Sequence, residues 1–248
     1  MKKSSNRDET SKPVYVQIAE NLLDQIESGD LSPGDRLPPE RELSEKFGVN
    51  RQTLRRALKK LELQGLLTRR QGAGTFVSEP KIEQRAEVVI SFTKNMQRRG
   101  YVPGAEIVKF KKQSAEKSVA DALGLSSSDL VYSIFRLRLI NQAPVLLERL
   151  TIPAHRFPQF ERHDLSKRSL YEVMETEYGV TITRARQSLE PVIALDYEAE
   201  ILHVLPGAAL MLQRRLSFDQ NEQPIEYGKD LYRGDRFRFV TEIAPLEI

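Results

Sequence analysis

The chain has no cysteine and only three histidines among its 248 residues. Without cysteine there are no disulfides and no thiolate zinc sites, which fits the reducing cytoplasm where we expect the protein to act. The histidines His155, His163 and His203 lack HxxH and HExxH spacing, so we predict no metal site and no cofactor. No apolar run reaches the roughly 18 residues that span a bilayer, so we expect no membrane partner. Residues 1–11 are polar and lack the apolar core of a secretory signal, and we expect a disordered tail there.

The charged residues are unevenly distributed, although the net charge is only +3. Residues 46–70 contain eight Lys and Arg against one acid, Glu62, whereas residues 12–45 contain three basic residues against eight acids. A basic face opposite an acidic one orients a protein on a polyanion. The alternative is a solvated charged helix, which is the more common role of a charge run.

The N-terminal third of the chain has the pattern of three short helices followed by a hairpin. Apolar residues recur there at three- and four-residue steps, which is typical of amphipathic helices. Gly48 suits a left-handed helix end, and Asn50 suits the N-cap of the next helix. The predicted elements are helices over 14–28, 40–47 and 51–64, and hairpin strands over 66–70 and 75–77 around a Gly-rich tip.

This pattern predicts a winged helix-turn-helix whose third helix enters a DNA groove. Arginine and glutamine at the start of a helix make paired contacts to base edges, while asparagine, threonine and the helix N-terminus reach phosphates. A Gly-rich tip enters the narrower minor groove, where bulky side chains do not fit. For any single arginine the commoner role is an exposed, solvated charge. On these grounds the candidate DNA contacts are Asn50, Arg51, Gln52, Thr53, Arg55 and Gly72.

Residues 13–77 resemble the DNA-binding domain of the GntR family of bacterial transcription regulators. The stretch "LPPERELSEKFGVNRQTLRRALKKLELQGLLTRRQGAGTFV" carries the likeness without a gap. The resemblance implies a homodimer on a palindromic double-stranded DNA operator, with Arg41 and Arg51 as DNA contacts and Glu42 beside them. One departure is Pro39, because the family usually has a serine there, whose capping hydrogen bond is worth about 1 kcal/mol.

The remaining chain predicts a second domain after a polar linker. Residues 78–87 are rich in charge and poor in apolar side chains, so we expect a linker there between domains over 12–77 and 88–248. Beyond it, alternating apolar and polar residues indicate strands, and short helical patterns are mixed among them. This is an α+β pattern with a mostly antiparallel sheet. We predict helices over 92–100, 118–125 and 169–179, and strands over 105–115, 129–140, 145–153, 181–194, 209–218 and 225–232.

Two arginines on one strand are the chemical signal of this domain. Arg136 and Arg138 are two residues apart, so they face the same side of the sheet among apolar neighbours. An anionic ligand would satisfy both guanidiniums, but so would internal acids such as Glu148, and the pattern favours neither alternative. Ser169 suits a helix N-cap, and that helix end also suits an anion. Glu226 is either a core ion-pair partner or an acceptor for ligand hydroxyls.

Residues 88–246 resemble the UTRA effector domain of the HutC subfamily of GntR regulators, whose fold is similar to that of chorismate lyase. The likeness lies in "ISFTKNMQRRGYVPG", "FRLRLINQAPVLLERLTIP", "SLYEVMETEYG" and "PIEYGKDLYRGDRFRF". Within the subfamily it is similar to amino-sugar regulators that bind N-acetylglucosamine-6-phosphate or glucosamine-6-phosphate. The resemblance implies phosphate contacts from Ser91, Phe92, Thr93, Arg136, Arg138 and Ser169, with Tyr171 next to them, and a sugar pocket with Glu148, Glu226 and Tyr232.

These observations predict a ligand-responsive transcription regulator, more specifically a repressor, whose affinity for DNA is controlled by a small anionic effector such as a sugar phosphate. A first alternative is a chorismate-lyase-like enzyme domain fused to a DNA anchor. The chain lacks a cysteine nucleophile, a GxSxG elbow and a P-loop, so we predict no enzyme. A second alternative is a constitutive DNA-binding protein whose second domain only dimerises.

Overall fold

A computed structural model describes residues 12–70 and 72–243, and the chain divides into two compact units between Lys81 and Ile82. The predicted disordered tail over 1–11 lies outside the described residues, as does Gln71 in the predicted hairpin tip. None of the helices in the described ranges is long and apolar enough to cross a membrane.

The first unit contains three helices and a two-stranded antiparallel hairpin, as predicted. Each observed boundary lies within one residue of the predicted one. The helices are α1 (Val14–Glu27), α2 (Glu40–Phe47) and α3 (Arg51–Leu63), and the strands are β1 (Leu67–Arg70) and β2 (Gly74–Val77).

The apolar stripe of α3 forms the centre of this unit. Leu54, Leu58 and Leu61 recur at three- and four-residue steps, and all three are buried in one apolar cluster with Ile18 and Leu22 of α1. A buried leucine side chain contributes about 1.5–3 kcal/mol. The opposite side of α3 is therefore left for its charged residues.

The turn between α2 and α3 follows the local chemistry of its residues. Gly48 ends α2 with a φ of 63°, which costs little without a Cβ. Asn50 is the N-cap of α3, and its side-chain oxygen accepts a hydrogen bond from the Thr53 backbone N–H at 2.8 Å. The predicted cap is confirmed. Pro39 precedes α2 and provides no side-chain cap.

The second unit is built on a six-stranded antiparallel sheet, and the predicted α+β class is confirmed. Along the sheet the strand order is β4-β5-β6-β9-β8-β7. The elements are β3 (Ile82–Arg85), α4 (Phe92–Arg98), β4 (Pro103–Ser114), α5 (Lys117–Leu123), β5 (Leu130–Ile140), β6 (Ala143–Pro153), a 3-10 turn (Phe160–Arg162), α6 (Leu170–Tyr178), β7 (Ile182–Ile193), α7 (Asp196–Leu202), β8 (Ala209–Asp219), β9 (Pro224–Arg233) and β10 (Phe237–Val240).

The two faces of the sheet carry different layers. On one face α6 packs against Ile134 and Leu150, while β3, β10 and α4 pack against Ile140 and Leu146. The opposite face is covered by α7, which packs against Leu147, and by α5. The first face therefore has an apolar cluster toward each end, and its polar side chains lie between the two clusters.

The predicted linker over 78–87 is wrong in its second half. Ile82–Arg85 form β3, which pairs in parallel with β10, and Ile82 is buried. The Ile82 backbone N–H donates to the Arg236 carbonyl at 2.8 Å. A four-residue strand with one buried apolar side chain gives almost no periodic signal, and its partner comes from the far end of the chain. The local sequence pattern therefore could not indicate it.

The sequence reading also missed α7 and β10. Glu198 closes the first turn of α7 by accepting a hydrogen bond from the Leu195 backbone N–H at 3.0 Å. Acidic residues in a first turn are a start signal. The helix is only seven residues long, however, and so short a segment shows less than two full turns of apolar periodicity.

Candidate DNA-binding surface and effector cavity

The N-cap and first turn of α3 present half of the predicted DNA contacts. Arg51 and Gln52 are exposed, and Thr53 is half-buried. The Asn50 side-chain oxygen is occupied by the Thr53 N–H, so its amide nitrogen is the part left for another partner. Because the apolar stripe faces α1, the polar side of this turn points outward.

The other predicted contacts lie on α2 and at the hairpin tip. Arg41 and Glu42 are exposed at the start of α2, and the Arg41 Nε lies 3.7 Å from a carboxylate oxygen of Glu45. Gly72 is exposed with a φ of 73°, a conformation that favours glycine. Where the tip joins β2, a Cβ on Gly74 would lie 3.0 Å from the Arg36 Nε.

One predicted DNA contact, Arg55, is held by an ion pair within the protein. The Arg55 Nε donates to Glu40 Oε2 at 2.7 Å, and Arg69 Nη2 donates to Glu40 Oε1 at 2.5 Å. Glu40 thus joins α2 to α3 and to β1. The sequence reading did not identify this residue, although a carboxylate at the first helical position beside a basic surface is a recognisable signal.

A cavity of about 170 Å³ lies on the polar part of the sheet face in the second unit. All predicted effector residues except Glu226 line it. They are Ser91, Phe92, Thr93, Arg136, Arg138, Glu148, Ser169, Tyr171 and Tyr232.

Arg136 and Glu148 form a buried ion pair across β5 and β6, where they are directly opposite in the register. Arg136 Nη2 and Nε lie 2.6 and 2.8 Å from Glu148 Oε2, and Nη1 donates to the Leu165 carbonyl. Burial opposes ionisation of Glu148, but the charges of Arg136 and Arg138 outweigh it and lower the pKa of that carboxyl. Of the two alternatives left by the sequence, the internal ion pair is therefore present for Arg136.

Arg138 is less fully engaged than Arg136. Its Nη2 donates to Thr93 Oγ1 at 2.8 Å, its Nη1 is 4.0 Å from Glu148 Oε2, and its guanidinium lies 4.6 Å from the ring centre of Phe92. Its Nε is buried and has no hydrogen-bond partner among the described residues. Burial lowers the pKa of Arg138 to about 10, so the side chain is still protonated at neutral pH. A buried cation with an unused donor is suited to an anion.

Two serines lie at helix starts that border the cavity. Ser91 Oγ accepts a hydrogen bond from the Lys94 backbone N–H at 3.2 Å, which caps α4. Ser169 is the N-cap residue of α6 and is buried, yet within the described chain its side chain makes no capping hydrogen bond. The predicted N-cap position is therefore confirmed, although the side chain forms no capping hydrogen bond.

Glu226 lies behind the cavity lining and holds part of it in place. It is fully buried and accepts hydrogen bonds from Tyr171 Oη at 2.9 Å, Ser217 Oγ at 2.5 Å and Arg215 Nη2 at 2.8 Å. Burial raises the pKa of Tyr171, so its hydroxyl remains a donor. Glu226 therefore orients two cavity residues and does not itself line the space.

The sequence reading missed the contribution of β7 and β8. Gln187, Gln213 and Arg215 line the cavity. The signal was available, because Gln213, Arg215 and Ser217 alternate along β8 with Leu212 and Leu216. Such alternation places the polar residues on one face.

The segment that follows β3 also lines the cavity. Residues 86–90 and Gln84 contribute to its wall, and the Gln187 side chain donates to the Ala86 carbonyl. The second half of the predicted linker is therefore part of the cavity wall.

The two units thus define a class of protein in which a winged helix-turn-helix is joined to a second domain that has a cavity with buried arginines, which is an arrangement found in transcription regulators. Residues 14–77 match the model of the gntR family of bacterial regulatory proteins, and residues 98–238 match the UTRA domain. The chain belongs to the GntR family and carries a UTRA domain, as the sequence predicted.

Curated relatives and solved structures agree with this assignment. The chain is 39% identical to the HTH-type transcriptional repressor NagR of Bacillus subtilis, over 92% of this chain and 93% of that protein. It is 27% identical to the histidine utilization repressor of Pseudomonas putida, over 91% of this chain and 90% of that protein. The crystal structure of PhnF from Mycobacterium smegmatis is similar with a TM-score of 0.65 and 30% identity, covering 94% of this chain and 99% of that one. These relatives are repressors, which favours a regulator over the enzyme alternative.

Proposed function

We propose that this regulator binds a palindromic operator as a homodimer and that a small phosphorylated sugar controls its affinity for DNA. A dimer on such an operator presents two recognition helices about 34–36 Å apart, at successive major grooves. We assign DNA binding to residues 12–77, with Arg41, Arg51 and Gln52 reading the operator. Bacterial operators lie in the cytoplasm, so we propose that the protein acts there.

The charge balance of the cavity carries the effector proposal. Three guanidiniums, those of Arg136, Arg138 and Arg215, lie on this face of the sheet, and all three line the cavity. Glu148 and Glu226 compensate two of these charges at ion-pair distance. One positive charge and the free Nε of Arg138 remain, which a phosphate satisfies. The neighbouring amide and carboxylate side chains are suited to sugar hydroxyls.

The position of residues 86–90 supports control of DNA binding by the effector. These residues belong to the cavity wall and follow shortly after the DNA-binding unit in the chain. A ligand changes an equilibrium between two arrangements only by binding them with different affinities. A ligand that contacts residues 86–90 would bind two arrangements of this segment with different affinities.

A thermal-shift comparison tests the proposal. Glucosamine-6-phosphate and N-acetylglucosamine-6-phosphate should raise the Tm more than the same sugars without phosphate, and a ligand at a hundred times its Kd stabilises by about 2.7 kcal/mol. Arg138→Met should remove the shift. Arg149→Met is the matched control, because Arg149 lies on the opposite face of the sheet, on the neighbouring strand β6, and donates to Tyr197. Equal shifts with phosphorylated and unphosphorylated sugars would contradict a phosphate site.

A further inference from the structure

Glu40 is the acceptor for two basic side chains of the DNA-binding unit. Its two carboxylate oxygens bind Arg55 of α3 and Arg69 of β1 at 2.7 and 2.5 Å. The Glu40 side chain is 19% exposed, whereas those of Arg55 and Arg69 are 63% and 56% exposed. Both guanidiniums therefore reach the surface while a half-buried carboxylate holds them.

Other basic residues of this unit are not held in this way. Across the described residues, Arg36, Arg51 and Lys59 take part in no salt bridge, although each is exposed. The cations that remain unpaired are the ones available to phosphates without first breaking an ion pair.

We infer that Glu40 is a specificity-determining residue that weakens binding to random DNA. The inference rests on the proposed role of α3 in DNA recognition. Phosphate contacts supply nearly all the affinity for non-specific DNA, and they carry no sequence information. Glu40 occupies two guanidiniums that would otherwise bind phosphates, and its own charge repels the DNA backbone. Base contacts through Arg51 and Gln52 do not depend on it.

The test is a salt titration of the full-length protein on a fluorescent duplex of random sequence. It compares the wild type with Glu40→Gln and with the control variant Glu27→Gln. Glu27 is an exposed residue at the end of α1, so its change removes the same charge without freeing an arginine. Each added phosphate contact steepens the slope of log K against log salt by about 0.9. For Glu40→Gln we expect a slope steeper by about 1 to 2, with binding at 50 mM salt about tenfold tighter than wild type.

Substitution of Arg69 provides an independent check. In the wild type, Arg69→Gln should leave the slope unchanged, because Glu40 already occupies this guanidinium. In the Glu40→Gln background the same change should remove about half of the added slope. The two arginines are more than half exposed, so losing either ion pair should cost little stability, and thermal unfolding verifies that these variants fold.

Two results would overturn the role of Glu40. One is a Glu40→Gln slope and affinity equal to those of Glu27→Gln, and the other is an Arg69→Gln slope flatter by about 0.9 in the wild type. Failure of the wild type to bind any duplex at low salt would instead contradict DNA recognition by α3.

Discussion

Asp230 on β9 lies directly opposite Glu148 on β6, so two carboxyl side chains face each other in the antiparallel register. Both are buried. Glu148 is paired with Arg136, whereas the Asp230 oxygens accept no hydrogen bond from any described residue and lie 3.3 Å from Arg215 Nη1 without hydrogen-bond geometry. Burial first, and then the nearby charges of Glu148 and Glu226, raise the pKa of Asp230 well above its usual range. Asp230 therefore holds the proton of this pair.

Asp230→Asn should stabilise the protein increasingly as the pH rises. An unfolded aspartate ionises near pH 3.9, while the folded one keeps its proton. As the pH rises from the unfolded to the folded pKa, the free energy of unfolding of the wild type therefore falls by about 1.4 kcal/mol per pH unit. Asparagine does not titrate, so the variant avoids this loss. Urea unfolding from pH 4 to 8 measures the gap, which is the difference in free energy of unfolding between Asp230→Asn and the wild type. Asp121→Asn, an exposed carboxyl on α5, is the control, and a gap for Asp230→Asn that does not change with pH would refute the raised pKa.

Glu226→Gln should destabilise the second unit strongly. The change leaves Arg215, whose side chain is 15% exposed, without its main counter-charge, and breaking a buried pair costs about 3–5 kcal/mol. The matched control is Glu222→Gln, whose partner Arg184 is exposed and whose loss should cost less than about 1 kcal/mol. Urea unfolding compares the two. Similar losses for both variants would show that the buried network contributes no more than a surface pair.

Arg51→Ala should weaken operator binding by about 1–3 kcal/mol if Arg51 contacts a base edge. An operator selected from a random duplex pool provides the probe, and anisotropy titrations at fixed salt provide the affinity. Binding to random DNA should fall much less. An equal loss on both duplexes would assign Arg51 to a phosphate instead.

Asn50→Ala should lower the stability of the DNA-binding unit by about 0.5–2 kcal/mol, because the Thr53 N–H loses its acceptor. Asn21→Ala is the control, since Asn21 lies within α1 and is exposed, where alanine is the better helix former. Thermal unfolding measures both changes. A Tm for Asn50→Ala equal to that of Asn21→Ala would show that the cap contributes nothing.

The first unit was predictable because its determinants are local. The Leu54, Leu58 and Leu61 stripe, Gly48 and Asn50 each act within a few residues, and the helix boundaries followed from them. In the second unit the shared face of Arg136 and Arg138 followed from strand alternation alone.

The unpredicted features depend on contacts between distant segments. β3 forms only because β10 pairs with it, and the proton on Asp230 follows from carboxyls on neighbouring strands. The cross-strand register decides whether Arg136 pairs with Glu148 or is free to bind an anion. The amino-acid composition does not specify that register. The sequence predicts Arg55 as a DNA contact, but whether Glu40 holds its guanidinium depends on how α2 and α3 pack.

The parallel pairing of β3 with β10 makes the first and last strands of the second unit immediate neighbours. The beginning and end of this unit are thus fastened together, and Ile82 and Phe237 share one apolar cluster with Tyr232. Deleting residues 237–248 would release β3 and loosen the adjoining cavity wall at residues 86–90. Under the function proposed above, a truncation remote in sequence from the helix-turn-helix would in this way disconnect small-molecule sensing from gene control.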